Sequence, residues 1–379
     1  MTRGMDSARA TCEKFLPGLA EALAEVPLME LESSGSPGTE LFRRHGGPGL
    51  LVPTPYGGAG ASALQAARVS RALGALSPSL GVATAMHNFS VASLVALVAS
   101  ADASGLEWLV IEGIARDRLL VGSAFAEGRT GAGVLDSGVA AVPVDGGYLV
   151  SGSKKPCSLS ASMNLITASV ALPAEDGGTE LGVALVPADS PGVSRRPFWQ
   201  APFLAGAESD EVVLEEVHIP EELMLRPQVE LGTGLDTLQT VGFVWFELLV
   251  TSVYTGAVAR LAESALRAGK GSATDRAALL TGVEAAIGLA ENVARIVDEH
   301  TVGNDELATV LTARYAVQEL LVSAADRAAE LLGGLAFATT PDVGHLLAVS
   351  RALAFHPPSR GATAQALLDH HDGAPLRVR

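Results

Sequence analysis

At 379 residues, with 48% hydrophobic and 18% charged side chains, the chain is too apolar to be disordered and long enough for about two or three domains. Aromatics are 4%, so the core has to be built from Ala, Val and Leu, as in packed helices. Acidic residues outnumber basic ones 42 to 26, a formal charge of −16. That balance offers no basic stripe for displacing the counterions of nucleic acid, which is excluded as a partner.

The N-terminus, MTRGMDSARATCEKF, has no uninterrupted apolar stretch behind its basic residue and does not read as a secretory signal. Up to about residue 120 the pattern is helical. Ala63–Leu73 and Ser90–Val98 place apolar residues three and four apart. Between the helical segments, Val52–Gly60 (VPTPYGGAG) breaks any helix with two prolines and three glycines and demands a shaped loop. Leu80–Ala101 and Val241–Ala259 are apolar enough to suggest membrane spans. The first carries Ser, His87 and Asn88 and the second Glu247, so both are expected as buried helices, with no membrane partner and a cytoplasmic location.

From Val121 to about Pro227 the texture changes to short β-rich runs, GYLVSGS, NLITASVAL, LGVALVP and DEVVLEEVHIP. Asp145-Gly146-Gly147 and Ser190-Pro191-Gly192 are turn signals between them, and a compact antiparallel barrel or sandwich is expected. After Leu231 the strands vanish. Val241–Ala268, Asp275–Asp298, Leu307–Leu332 and Gly344–Ala354 predict a four-helix bundle. The expected organisation is α+β: a helical domain over 1–120, a β-domain over 121–227 and a helical bundle over 228–379. Two cysteines, Cys12 and Cys157, supply neither a disulfide framework nor a four-ligand zinc site, and no metal is expected.

Helices, then a turn-rich β-domain, then a bundle is an unusual order, and several local segments match it to one family. Pro53–Gly60 (PTPYGGAG), Ala85–Ser90 (AMHNFS), Glu127–Gly133 (EGRTGAG) and Gly147–Ser158 (GYLVSGSKKPCS) do so, followed in order by Val186–Val193, Val212–Pro220 and Leu331–Phe337. With these the chain resembles the acyl-CoA dehydrogenase superfamily over nearly its whole length. The resemblance implies one FAD per subunit between β-domain and bundle, and a homodimer or homotetramer. It also implies an electron-transfer flavoprotein or a flavin reductase as redox partner. Phe125, Ala126, Glu127, Gly133, Cys157 and Ser158 then run beside the flavin, where fixed donors stabilise a reduced, electron-rich ring.

Each candidate has a plainer reading. Ser158 stands where the family has a flavin-contacting Thr, but Ser158, Ser160 and Ser162 also alternate like a polar loop. Cys157 suits small packing as well as redox chemistry. Arg129 suits a flavin or substrate phosphate, or a solvated loop. The family's Arg-x-x-Phe-Gly phosphate segment is replaced by RAGKGSATDR (Arg267–Arg276), leaving Lys270 or Arg276 as substitutes.

Dehydrogenation of an acyl thioester needs a carboxylate to remove the α-proton. The stretch corresponding to the family's usual base, Phe355–Leu368, contains none. Another family branch draws its base from the first bundle helix, close to Glu247, a residue that an ion pair with an arginine such as Arg260 would explain equally. Superfamily monooxygenases lack that carboxylate and use histidines beside reduced flavin, a pattern to which His87 and His356 correspond. Three readings stand open. The leading one is α,β-dehydrogenation of a thioester of coenzyme A or a carrier protein, with Glu247 as base. The alternative is a flavin monooxygenase or oxidase acting on a small molecule through His87 and His356, and the third is a non-catalytic flavin-binding homologue.

Overall fold

The computed structural model describes residues 2–99, 105–128, 137–174, 177–226 and 237–378. The first part holds helices α1 (Arg3–Phe15), α2 (Leu19–Ala24), α3 (Leu28–Leu31), α4 (Gly38–Arg44), α5 (Ala63–Leu76), α6 (Pro78–Ala99) and α7 (Gly105–Arg116). The VPTPYGGAG loop contains a short 3-10 turn, Thr54–Tyr56, closed by Gly57 at φ 79°. Tyr56 there stacks on Trp108 of α7 with centroids 3.9 Å apart.

Among the described residues eight strands follow: β1 (Val121–Ala124), β2 (Ala140–Val144), β3 (Gly147–Cys157), β4 (Leu165–Pro173), β5 (Thr179–Pro187), β6 (Val193–Arg196), β7 (Asp210–Pro220) and β8 (Met224–Leu225). They form one sheet in the order β6-β7-β3-β2-β4-β5-β8, with β1 beside β4. The expected purely antiparallel arrangement needs one correction. β1 pairs parallel to β4, and β2 meets β4 through a parallel bridge. Alternation of apolar residues identifies a strand but carries no direction, and β1 arrives from α7 rather than through a hairpin.

The C-terminal part holds α8 (Thr237–Ala268), α9 (Ala273–Glu299), α10 (Asn304–Leu332), α11 (Gly334–Thr339), α12 (Pro341–Val349) and α13 (Arg360–His371). Three of these are long. The fourth expected bundle helix is cut into α12 and a 3-10 turn, Ala352–Phe355, and α5 supplies a further long wall of α8. Gly74 and Gly256 permit that approach, since a Cβ at Gly74 would collide with the Val253 carbonyl and one at Gly256 with that of Arg71. Asp298 of α9 caps α5 from outside, accepting from the Ser62 hydroxyl at 2.8 Å and from the Ala63 and Leu64 amides at 2.6 and 3.1 Å. By length and composition α6, α8 and α9 could each cross a membrane; 72%, 78% and 44% of their most apolar windows lie inside the fold.

Glu32 ties the three parts together. Its buried carboxylate accepts from Ser77 and Ser79 at the start of α6 and lies 3.0 Å from His345 of α12. Its backbone carbonyl accepts from Gly206 in the β-domain.

Candidate active site

The two segments expected beside a flavin, the chain after β1 and the end of β3, meet each other. The Lys155 amide donates to the Ala126 carbonyl at 2.8 Å, which sets the chain after β1 against the end of β3. Glu127 turns its carboxylate inward and accepts from Lys154 Nζ at 2.6 Å, the Ser137 hydroxyl and the Gly138 amide. Lys154 is fully buried and also donates to Ser169. This ion pair fixes the loop from inside, so the side chain of Glu127 is occupied and Phe125 and the local backbone form the outer face. Ser158 shares a hydrogen bond with Ser209 at 3.0 Å, both being buried. Burial pushes the Cys157 thiol up to about 12 against the pull of Arg195, which removes it as a thiolate. Gly133 and Arg129 lie outside the described residues.

From Phe125 an aromatic wall runs to the bundle. Phe125 packs against Phe89 of α6 at 6.3 Å, Phe89 against Phe246 of α8 at 5.5 Å, and Phe246 against the ring of His356 at 5.8 Å. The chain after β1, α6, α8 and the chain after α12 each contribute one ring. Edge-to-face contacts at these separations give a firm apolar surface.

His356 ends that wall. Its Nε2 lies 2.8 Å from the hydroxyl of Tyr254, a fully buried residue two turns along α8 from Phe246. Burial, then the nearby Arg314 guanidinium, bring His356 down to about 3, so the imidazole is neutral at working pH. Arg314 of α10 holds the segment around it by donating to the carbonyls of Leu353, His356 and Pro358 at 2.9, 2.6 and 2.9 Å. The same guanidinium meets Glu247 Oε1 at 3.0 Å.

Glu247 is therefore paired, but with Arg314; Arg260 instead binds Asp342. The Glu247 side chain is 0% exposed. Its Oε2 has no hydrogen-bond partner among the described residues, and burial pushes its pKa up to about 8 against the pull of Arg314. A base for an α-proton needs an open approach to substrate, and this carboxylate has none. Its visible work is to hold Arg314, and through it the backbone under His356.

His87 is placed differently. Its Nδ1 accepts from the Val121 amide at 3.0 Å and its Nε2 faces the Pro48 carbonyl at 3.0 Å. Both nitrogens are committed to backbone, the residue is fully buried, and burial lowers its pKa to about 4. It joins α6, β1 and the loop before Leu50, with no atom left for a substrate. Sequence reasoning missed Tyr254 and Arg314. The available signal was a phenol and a guanidinium inside apolar helices, groups that have to find partners when buried.

The residues present fit a flavin ring. A flat heteroaromatic group suits a face of phenylalanines beside a backbone edge and the Ser158–Ser209 hydroxyls. The substitutes for the missing pyrophosphate arginine do not fit. Lys270 donates to the Leu332 carbonyl at 3.0 Å, and Arg276 gathers the carbonyls of Gly269, Lys270 and Gly271, so both cations close helix ends.

Residues 5–104 match the family model for the acyl-CoA dehydrogenase N-terminal domain. The chain belongs to the acyl-CoA dehydrogenase superfamily and is a flavin-dependent oxidoreductase of that fold. It is 49% identical over 377 residues to the isobutylamine N-hydroxylase of Streptomyces viridifaciens, covering 99% of this chain and 100% of that protein. Among solved structures, KijD3 in complex with FMN and dTDP-3-amino-2,3,6-trideoxy-4-keto-3-methyl-D-glucose superposes with a TM-score of 0.83 at 18% identity, covering 98% of this chain and 96% of that one. A nitrososynthase from Micromonospora carbonacea var. africana superposes at 0.80 with 20% identity, covering 98% and 97%. The relatives favour the monooxygenase alternative over thioester dehydrogenation, in keeping with the closed position of Glu247.

Proposed function

We propose that the protein is a flavin-dependent monooxygenase that N-hydroxylates a small primary aliphatic amine, using FMN reduced by a separate flavin reductase. The observation that carries this reading is the aromatic wall from Phe125 to Phe246 ending on a neutral His356, with the nearby carboxylate of Glu247 sealed away. The N-hydroxylase relative supports an amine as substrate. FMN rather than FAD is supported by the commitment of Lys270 and Arg276 to backbone carbonyls and by the FMN of the KijD3 complex.

The overall reaction takes an amine, dioxygen and reduced flavin to a hydroxylamine, water and oxidised flavin. One oxygen atom goes to nitrogen and the other leaves as water, with two electrons and two protons from the reduced flavin. Bound flavin supplies those electrons to oxygen. The chain's own part is to seat a short alkyl group on the phenylalanines, keep water out, and hold a proton on His356. An apolar wall penalises an ammonium and favours the neutral amine, whose lone pair is the nucleophile. Turnover is then expected to rise with pH below the ordinary amine pKa of about 10.4, because the neutral fraction grows.

The test supplies chemically reduced FMN, isobutylamine and ¹⁸O-labelled dioxygen, and looks by mass spectrometry for one labelled oxygen in the hydroxylamine. Flavin bleaching by a saturated acyl thioester without oxygen, and no labelled product, would restore the dehydrogenase reading.

A further inference from the structure

We propose that Tyr254 is a positioning residue that fixes the tautomer of His356, so that Nδ1–H is the donor presented to the flavin and substrate cleft. The inference deepens the monooxygenase reading and, for its functional part, rests on it. Tyr254 is 0% exposed and its hydroxyl has a single hydrogen-bond partner among the described residues, His356 Nε2 at 2.8 Å. A buried hydroxyl proton without an acceptor forfeits its hydration with nothing in return, so the phenol must donate. Burial pushes its pKa well above the ordinary phenol value, which keeps that proton in place at any working pH.

Nε2 is therefore the acceptor and carries the lone pair. A neutral imidazole has one proton, and it lies on Nδ1. The reverse arrangement, Nε2–H donating to the phenol oxygen, would strand the Tyr254 proton. Nδ1 has no hydrogen-bond partner among the described residues, whereas both nitrogens of His87 are used.

The ring cannot readily turn to undo this. Phe246 meets it edge-on at 5.8 Å and Tyr254 lies tilted at 5.5 Å. Arg314 pins the carbonyls of Leu353, His356 and Pro358 beneath it. The consequence is chemical. Water is a product, so one oxygen atom of dioxygen must leave carrying protons. An N–H facing the cleft can donate toward that oxygen, while a lone pair there would repel it.

Two measurements test the proposal. The first is long-range ¹H–¹⁵N NMR of ¹⁵N-histidine-labelled wild-type protein, with the His356 signal assigned by its loss in His356→Asn. The proton is expected on Nδ1, with partial conversion to Nε2–H in Tyr254→Phe. A wild-type proton on Nε2 overturns the proposal. The second compares wild type with Tyr254→Phe, supplied with FMN, a reductase and isobutylamine, for hydroxylamine formed per oxygen consumed. The variant is expected to lose about tenfold in coupled product and release peroxide instead, at unchanged flavin affinity and with a melting temperature lowered by no more than the loss of one hydrogen bond. Wild-type coupling in the variant would overturn the functional half. If wild type hydroxylates no amine, the proposed function fails, and the NMR still decides the tautomer alone.

Discussion

His87 and His356 are both neutral and both packed against a phenylalanine ring, and the structure holds them in opposite ways. At His87 a backbone amide and a backbone carbonyl take the two nitrogens, so the ring is a strut between α6, β1 and the loop before Leu50. At His356 the backbone is fastened by Arg314 while the ring gives one nitrogen to Tyr254 and keeps the other. A depressed pKa is common to both. What separates a strut from a chemical group is how many ring nitrogens the fold has already claimed.

The sharpest way to break this contrast is to remove His356. His356→Ala is expected to lower amine hydroxylation by about 10²–10⁴-fold, with a loss of about 1–3 kcal/mol of stability because it strands the Tyr254 hydroxyl. Steady-state product formation and a thermal melt check it together, and an active variant would make His356 another strut. Arg314→Met should come next, costing about 3–5 kcal/mol of stability because it strands the Leu353, His356 and Pro358 carbonyls together with the buried Glu247. Urea unfolding reads that directly. Glu247→Gln should lose less, since an amide oxygen can still accept from Arg314.

His87→Ala should cost about 1–3 kcal/mol by stranding the Val121 amide, with turnover per folded molecule unchanged. Its pH signature is specific. The folded pKa, about 4, lies below the ordinary 6.5, so the unfolded chain binds more protons between those values. Stability from His87 is complete above pH 6.5 and is lost as pH falls toward 4. His87→Gln should flatten that part of the stability curve, and an unaltered slope would refute the assignment. The smallest effect is expected just past β3. Ser158→Ala should weaken FMN binding by about 1 kcal/mol, read by fluorescence titration.

Much of the architecture was legible because texture changes mark it. Strand-rich runs begin at Val121 and end at Leu225, and the helical runs expected at Ala63–Leu73 and Asp275–Asp298 lie within α5 and α9. The parallel placement of β1 was not legible, since nothing in four apolar residues encodes a partner. Nor was the splitting of the last bundle helix, despite Pro357 and Pro358 just beyond it. The candidate site divides the same way. Local motifs singled out the chain around 125–127 and the end of β3, and a hydrogen bond from Lys155 to Ala126 joins them. The Arg314 anchor joins α8, α10 and the segment after α12 across 67 and 42 residues, a link that no local pattern carries.

The sealed thiols bear on durability. Cys12 and Cys157 are both buried, with burial the main cause that lifts each to about 12. A thiol attacks an oxidant as its thiolate, and here almost none exists at neutral pH. The proposed reaction brings reduced flavin and oxygen together next to Cys157, which adjoins the proposed flavin contact, and stray peroxide is the by-product expected of it. By keeping sulfur protonated and out of reach, this fold should age slowly during turnover, with thiol-directed reagents finding nothing to modify until the chain unfolds.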